Sequence, residues 1–307
     1  MFFEAALKGK NQIWRYLVMF IIVFASTNII GGIPLIAIII LNTFKNPDAF
    51  EGVSDNLSDL SVYGIGSNLG LILILIPFIV GIVTLFLLTK PLNGRTFFTL
   101  FNGGGRIRWQ RFFFSAIIWT VLMVVYLWLS MSYNRDNFSV NNLSSSLIWL
   151  VIIAVTLVPF QTSFEEILFR GYLMQGSGAW FGNKWAPILL TSLLFGLMHS
   201  FNPEIKEFGF WVMIPQYITY GLVFGLVVVL DDGIEIAMGA HAANNVFLSV
   251  FLTQESSALQ TAALFEQHIV YPWQDFIALG ILSMIFLIIM GIIFKWRPGN
   301  IFIINRS

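Results

Sequence analysis

The chain has 307 residues, 57% of them hydrophobic and only 10% charged, against about 25% charged in soluble domains, so it reads as a polytopic membrane protein. Equal numbers of basic and acidic residues leave no net charge, which removes the basic surface a nucleic-acid partner requires. There is no cysteine, which excludes disulfides, thiolate metal sites and a cysteine nucleophile.

Met1 to Lys10 is short and polar. The apolar run after it is too long for a removable signal peptide and lacks a small-residue cleavage site, so it is expected to stay as an anchor. Runs of about 20 apolar residues mark membrane spans, and eight are expected. The first is Tyr16 to Leu41, interrupted by Gly31, Gly32 and Pro34. A polar loop over 43–63, with Asp48, Glu51, Asp55 and Asp59, leads to the second, Leu69 to Leu88. A basic, glycine-rich loop with Arg95, Arg106, Arg108 and Arg111 precedes the third, Phe112 to Leu129. The fourth starts at Leu147. The fifth is Trp185 to His199, the sixth Phe210 to Leu230, the seventh Ile234 to Leu252 and the eighth Phe276 to Phe294. Gly221 and Gly225 form a Gly-x-x-x-Gly in the sixth span, read as ordinary helix packing.

The expected architecture is an all-α membrane helix bundle, residues 1–307 forming a single membrane-embedded domain, with 147–252 as the catalytic core helices. With the N-terminus in the cytoplasm, twelve basic residues fall on that side: Lys8, Lys10, Arg15, Lys90, Arg95, Arg106, Arg108, Arg111, Lys184, Lys295, Arg297 and Arg306. Three, Lys45, Arg135 and Lys206, fall outside. That bias predicts both termini cytoplasmic and an even number of spans.

Within the fourth span, Thr162-Ser-Phe-Glu-Glu-Ile-Leu-Phe-Arg-Gly-Tyr-Leu-Met174 places Glu165, Glu166 and Arg170 at membrane depth. Each charge there costs roughly 2.5–3.5 kcal/mol on insertion scales, so the group must pair, face a wet cavity or do chemistry. Glu166 and Arg170 are four apart and share a helix face, so they are expected to pair. Glu165 is turned by about 100° from Glu166 and can face another space. The structural alternative is one inert ion-pair network.

His199 ends the fifth span. Helical rise puts it about 22 Å from Lys184 and Glu165 about 18 Å from Ser177, at similar levels in an antiparallel hairpin. A carboxylate beside a histidine in a partly dry pocket is a general-base arrangement. His241 and Asn245 share a face of the seventh span, although by the same count His241, about 12 Å from Gly233, should be shallower than Glu165. His268 is assigned no role. Such donors near a carboxylate–histidine base make a hydrolytic site plausible, the second pair holding an oxyanion. Neither His-Glu-x-x-His nor Gly-x-Ser-x-Gly is present, so zinc-protease and serine-elbow sites have no support.

Glu165-Glu166-x-x-Phe169-Arg170, Phe195-x-x-x-His199 and His241-x-x-x-Asn245, in this order, resemble the CAAX prenyl endopeptidase and bacteriocin-processing family, also called Abi or CPBP. The motifs span 165–245, about a quarter of the chain; the remaining helices match only as membrane spans. The resemblance implies an intramembrane endopeptidase in which Glu165 and His199 activate water, His241 and Asn245 form the oxyanion hole, and Glu166 with Arg170 supports the site. No cofactor is expected. A divalent ion such as zinc is the alternative, on Glu165, His199 and His241, with the metal-free route ranked ahead. The expected partners are a membrane-associated, possibly lipidated, protein or peptide substrate and the lipid bilayer, in a bacterial plasma membrane. Two other readings compete. One is a non-catalytic membrane protein, such as an immunity factor or partner anchor. The other is a proton-coupled transporter, which usually shows repeated halves; none is seen here.

Overall fold

The structure, a computed structural model, describes residues 2–45, 60–141, 145–254 and 256–296. The acidic loop with Asp48, Glu51, Asp55 and Asp59 lies outside them, as do Arg297 and Arg306. The molecule is predominantly helical, as its long continuous apolar runs require, because a helix satisfies every backbone group within its own segment.

The short turn α1 (Glu4–Leu7) is followed by α2 (Ile13–Ala25), a stretch of wide turns at Ser26–Ile30, and α3 (Ile33–Lys45). From Ile13 to Lys45 the last three make one apolar run of 33 residues. The break at Gly31 has a packing cause. A Cβ there would come within 2.5 Å of Pro77 Cα on α4 (Ser67–Asn93), so the glycine lets the two helices touch. After α5 (Thr99–Asn102) come α6 (Trp109–Tyr133) and a short strand, β1 (Phe138–Val140). Next, α7 (Ser145–Glu166) runs through wide turns at Ile167–Leu173 into α8 (Met174–Phe181). Then α9 (Trp185–Met198), α10 (Pro203–Phe208), α11 (Phe210–Asp231) and α12 (Glu235–Phe251) follow. The chain closes with strands β2 (Leu252–Thr253) and β3 (Phe265–Gln267) and helix α13 (Pro272–Ile293).

Among the described residues, six helical runs are long and apolar enough to cross a membrane: Ile13–Lys45, Ser67–Asn93, Trp109–Tyr133, Ser145–Phe181, Phe210–Asp231 and Pro272–Ile293. The expected fifth and seventh spans are shorter. Helix α9 has 14 residues and α12 has 17, about 21 and 26 Å against a hydrocarbon core of about 30 Å. The all-α expectation missed a small sheet of order β1-β3-β2, with β1 antiparallel and β2 parallel to β3.

The outward faces are apolar, with Ile21, Trp128 and Met284 each more than 60% exposed. That inversion of the soluble pattern fits lipid as the surrounding solvent. By contrast α12 is buried along almost its whole length. It packs closely on α6 because Gly239 faces Phe112 O, where a Cβ would sit 2.1 Å away. The Gly-x-x-x-Gly of α11 packs against α9. A Cβ at Gly221 would lie 2.7 Å from Ser192 Cα, and one at Gly225 would lie 3.2 Å from Ile188.

A polar knot fastens the α11–α12 turn to the start of α6. Asp232 closes α11 in the left-handed conformation, with φ of 57°. Arg108 donates through Nη2 to Glu235 Oε2 at 2.6 Å and through Nη1 to Asp231 O at 2.9 Å. Asp231 also pairs with Arg111 and accepts from Trp296 Nε1. Burial works against the Arg108 charge, yet its hydrogen bond to Glu235 and the surrounding carboxylates outweigh this and raise its pKa.

Candidate active site

The site is assembled on α7, α12 and the end of α9. Glu165 and Glu166 close α7, immediately before the widened turns at Ile167–Leu173. Such π-type turns occur frequently at functional sites. Glu166 and Arg170 are fully buried, and Arg170 Nη1 donates to Glu166 Oε1 at 2.7 Å. The guanidinium also lies over the Phe195 ring at 4.3 Å.

His241, on α12, meets the same carboxylate: its Nδ1 is 2.8 Å from Glu166 Oε1. A carboxylate acceptor there assigns the proton to Nδ1. The opposite nitrogen, Nε2, stands 3.7 Å from Glu165 Oε2. That exceeds a hydrogen bond but lets one water touch both atoms. The imidazole is held by Phe224 at 5.4 Å and Phe195 at 6.0 Å between ring centroids. Counting along straight helices predicted His241 to be shallower than Glu165. The packing of α12 against α7 instead brings the two side chains together.

The two oxygens of Glu165 are not equivalent. Oε1 accepts from Gln161 Nε2 at 2.5 Å, whereas Oε2 is buried with no hydrogen-bond partner among the described residues. Gln161 Oε1 in turn accepts from Asn245 Nδ2 at 3.0 Å. Asn245 Oδ1 accepts from Asn244 Nδ2 at 3.0 Å, and Asn244 Oδ1 accepts from Trp119 Nε1 at 3.2 Å and Tyr220 OH at 3.1 Å.

His199 lies near Glu165, as the hairpin count expected, without bonding to it. Among the described residues no hydrogen bond or ion pair joins the two. His199 Nδ1 bonds Phe195 O at 2.7 Å, and its ring stacks on Tyr217 at 4.2 Å. The physical reason is local: α9 ends at Met198, and the ring folds back onto the last turn. It stays within electrostatic range of Glu165, His241 and Arg170, with Nε2 on the edge away from the Phe195 carbonyl.

Among the described residues no group of three histidine or carboxylate side chains, Glu165, His199 and His241 included, is arranged to hold an ion. No step below is routed through one. A cavity of about 660 Å³ between α6 and α13, lined in part by Arg108, Arg111 and Phe294, contains none of the motif residues.

Sequence reading missed Gln161, Asn244, Trp119, Tyr217 and Tyr220. Gln161 carried a usable signal, since it lies one helical turn before Glu165 on the same face. Trp119 carried none, being one of ten tryptophans in a lipid-rich sequence.

The profile of the type II CAAX prenyl endopeptidase Rce1-like family matches residues 144–247, which include every motif residue above. The chain is also 33% identical over 261 residues to the uncharacterized protein YyaK of Bacillus subtilis (strain 168), covering 83% of each chain. The chain belongs to the Rce1-like CAAX prenyl endopeptidase family. No solved structure matches it. Membership in this Rce1-like family, together with the apolar helices, makes it a multi-pass membrane protein of a protease family. Within the family match lie α7, α9, α11 and nearly all of α12. Helix α6, which bears Trp119, lies outside it.

Proposed function

We propose that the chain is an intramembrane endopeptidase acting on membrane-associated proteins or peptides, including lipidated ones. The observation that carries this is Glu165 Oε2, a buried carboxylate oxygen with no hydrogen-bond partner among the described residues, which, unlike the equally unpartnered Glu166 Oε2, faces His241 Nε2 at 3.7 Å. A buried, unsatisfied carboxylate oxygen costs stability and calls for a functional explanation.

In this reading Glu165 Oε2 takes a proton from water as the water oxygen bonds to the scissile carbonyl carbon. His199 Nε2 provides a second contact for that water. The carbonyl oxygen becomes an oxyanion held by His241 Nε2–H and the second N–H of Asn245. As the C–N bond breaks, Glu165 returns the proton to the leaving amine. The oxyanion role requires His241 to carry N–H on both ring nitrogens, Nδ1 toward Glu166 and Nε2 toward the substrate. Glu166 and Arg170 hold His241 in place.

The topology proposed with this function has eight membrane-embedded helices, α9 and α12 being the two short ones, both termini cytoplasmic, in a bacterial plasma membrane. The chain is one domain and the chemistry needs no metal. The test compares new protein termini in membranes from cells making the native chain or Glu165→Gln at matched folded levels. Termini appearing only with the native chain support proteolysis and name the substrate. With both proteins folded and abundant, identical terminomes favour the non-catalytic reading.

A further inference from the structure

We infer that Trp119 is a positioning residue for Glu165, acting through a one-way chain of three amides. The inference rests on the protease reading for its consequence and on geometry alone for the chain itself. Carboxamide groups can turn end for end, so their direction must be set by whatever terminates them. The indole N–H can only donate. Trp119 Nε1 faces Asn244 at 3.2 Å, which makes the facing atom the oxygen and turns the Asn244 nitrogen toward Asn245. A nitrogen there requires Asn245 to present its oxygen, and so turns its own nitrogen to Gln161. Gln161 must then offer oxygen to Asn245 and nitrogen to Glu165. Every donor points the same way, over four hydrogen bonds.

The ionised carboxylate at the far end accepts in either case. The indole matters once Glu165 is protonated, when the chain it directs keeps Oε1 an acceptor. A proton taken up by the carboxylate then goes to Oε2, the oxygen that faces His241. Direction is thus converted into a division of labour, with one oxygen anchored and the other reactive. Tyr220, which also donates to Asn244 Oδ1, cannot fix the direction by itself, because a hydroxyl can donate or accept. Trp119 is suited to the task by its surroundings. It is 1% exposed and locked edge-on against Phe286 at 5.1 Å. Chains of aligned hydrogen bonds in a low-dielectric interior also polarise one another, so removing the terminal donor is felt at the far end.

Two measurements test this. The first uses a fluorescence-quenched peptide carrying a farnesylated cysteine four residues from its C-terminus, with the protein reconstituted in vesicles. Trp119→Phe, and a chain carrying benzothienylalanine at position 119 (sulfur in place of N–H), should each lower kcat about tenfold. That is less than the ~10²–10⁴-fold removed with a general base itself. KM should stay unchanged, since the peptide does not touch the indole. Native kcat in the benzothienyl protein overturns the inference and leaves the protease reading standing.

The second measurement needs no turnover. In ¹⁵N-indole NMR spectra the Trp119 signal is the one lost in Trp119→Phe. Gln161→Leu, three hydrogen bonds away, should move that signal. An unmoved signal overturns the chain. Should the native protein and Glu165→Gln both leave the peptide intact, the protease reading fails for this substrate class, and the spectra alone decide the inference.

Discussion

Arg170 has no route to water, being fully buried, and it answers the charge of Glu166 at 2.7 Å while lying over Phe195. Removing it strands a carboxylate that also holds His241. Arg170→Ala is therefore expected to cost about 3–5 kcal/mol, the penalty for breaking a buried pair from one side. Folded yield in detergent, read by size exclusion, should fall in step with activity. Glu165→Gln should behave in the opposite manner, with the folded yield kept and activity lost. Equal folded yields for the Arg170 variant and the native chain would show that the pair is not structural. The Glu166–Arg170 pair was legible in the sequence because a helix dictates which residues share a face. The bond from His241 to Glu166 was not, since 75 residues separate the partners and no local rule connects them.

At the scale of elements, the decisive feature is how closely α12 approaches α6. An added Cβ at Gly239 would lie 2.1 Å from Phe112 O and 2.2 Å from Ser115 Oγ. Gly239→Ala must push the helices apart, at a cost of about 1–3 kcal/mol or more for overpacking, and should lower Tm. Because α12 carries His241, Asn244 and Asn245, activity should fall further than stability alone explains. Gly280→Ala on α13 is the control, since nothing lies within 4 Å of its Cβ position; its Tm should hold or rise slightly. A native-like Tm for Gly239→Ala would mean the approach is not needed. The Gly-x-x-x-Gly of α11 was readable as packing, although its partner was not. The widened turns at Ile167–Leu173 were not anticipated from the sequence, where only Gly171 departs from ordinary helix formers.

For the whole molecule, the proposed topology can be checked directly because the native chain has no cysteine. Lys8 and Lys206 are both exposed, and single cysteines at these positions should react with a membrane-impermeant maleimide from opposite sides. In intact cells Lys206→Cys should label and Lys8→Cys should not; inverted vesicles should give the reverse. Labelling of both from one side would sink the eight-helix arrangement. The count is in question because six runs are long enough to span, whereas α9 and α12 are not. These two short helices carry His199, which caps α9, and His241. Both were legible in the sequence as apolar runs; what the structure adds is that as helices they are shorter than the hydrocarbon core, α9 ending at Met198 just before His199.

Continuous apolar runs of about 20 residues determined that the chain folds as apolar helices, because within a bilayer the alternative, a closed barrel, needs strands that alternate apolar and polar residues. Helical spacing alone determined that Glu166 meets Arg170 and that Glu165 faces elsewhere. What only the tertiary structure decided is which nitrogen meets which oxygen. It put His241, rather than His199, against the two glutamates, and joined Glu165 through Gln161, Asn245 and Asn244 to a tryptophan on α6. Those contacts depend on the depth, tilt and closeness of helices far apart in the chain. They are set by glycines and ring packing at the crossings, whose effect is visible only when both partners are in place.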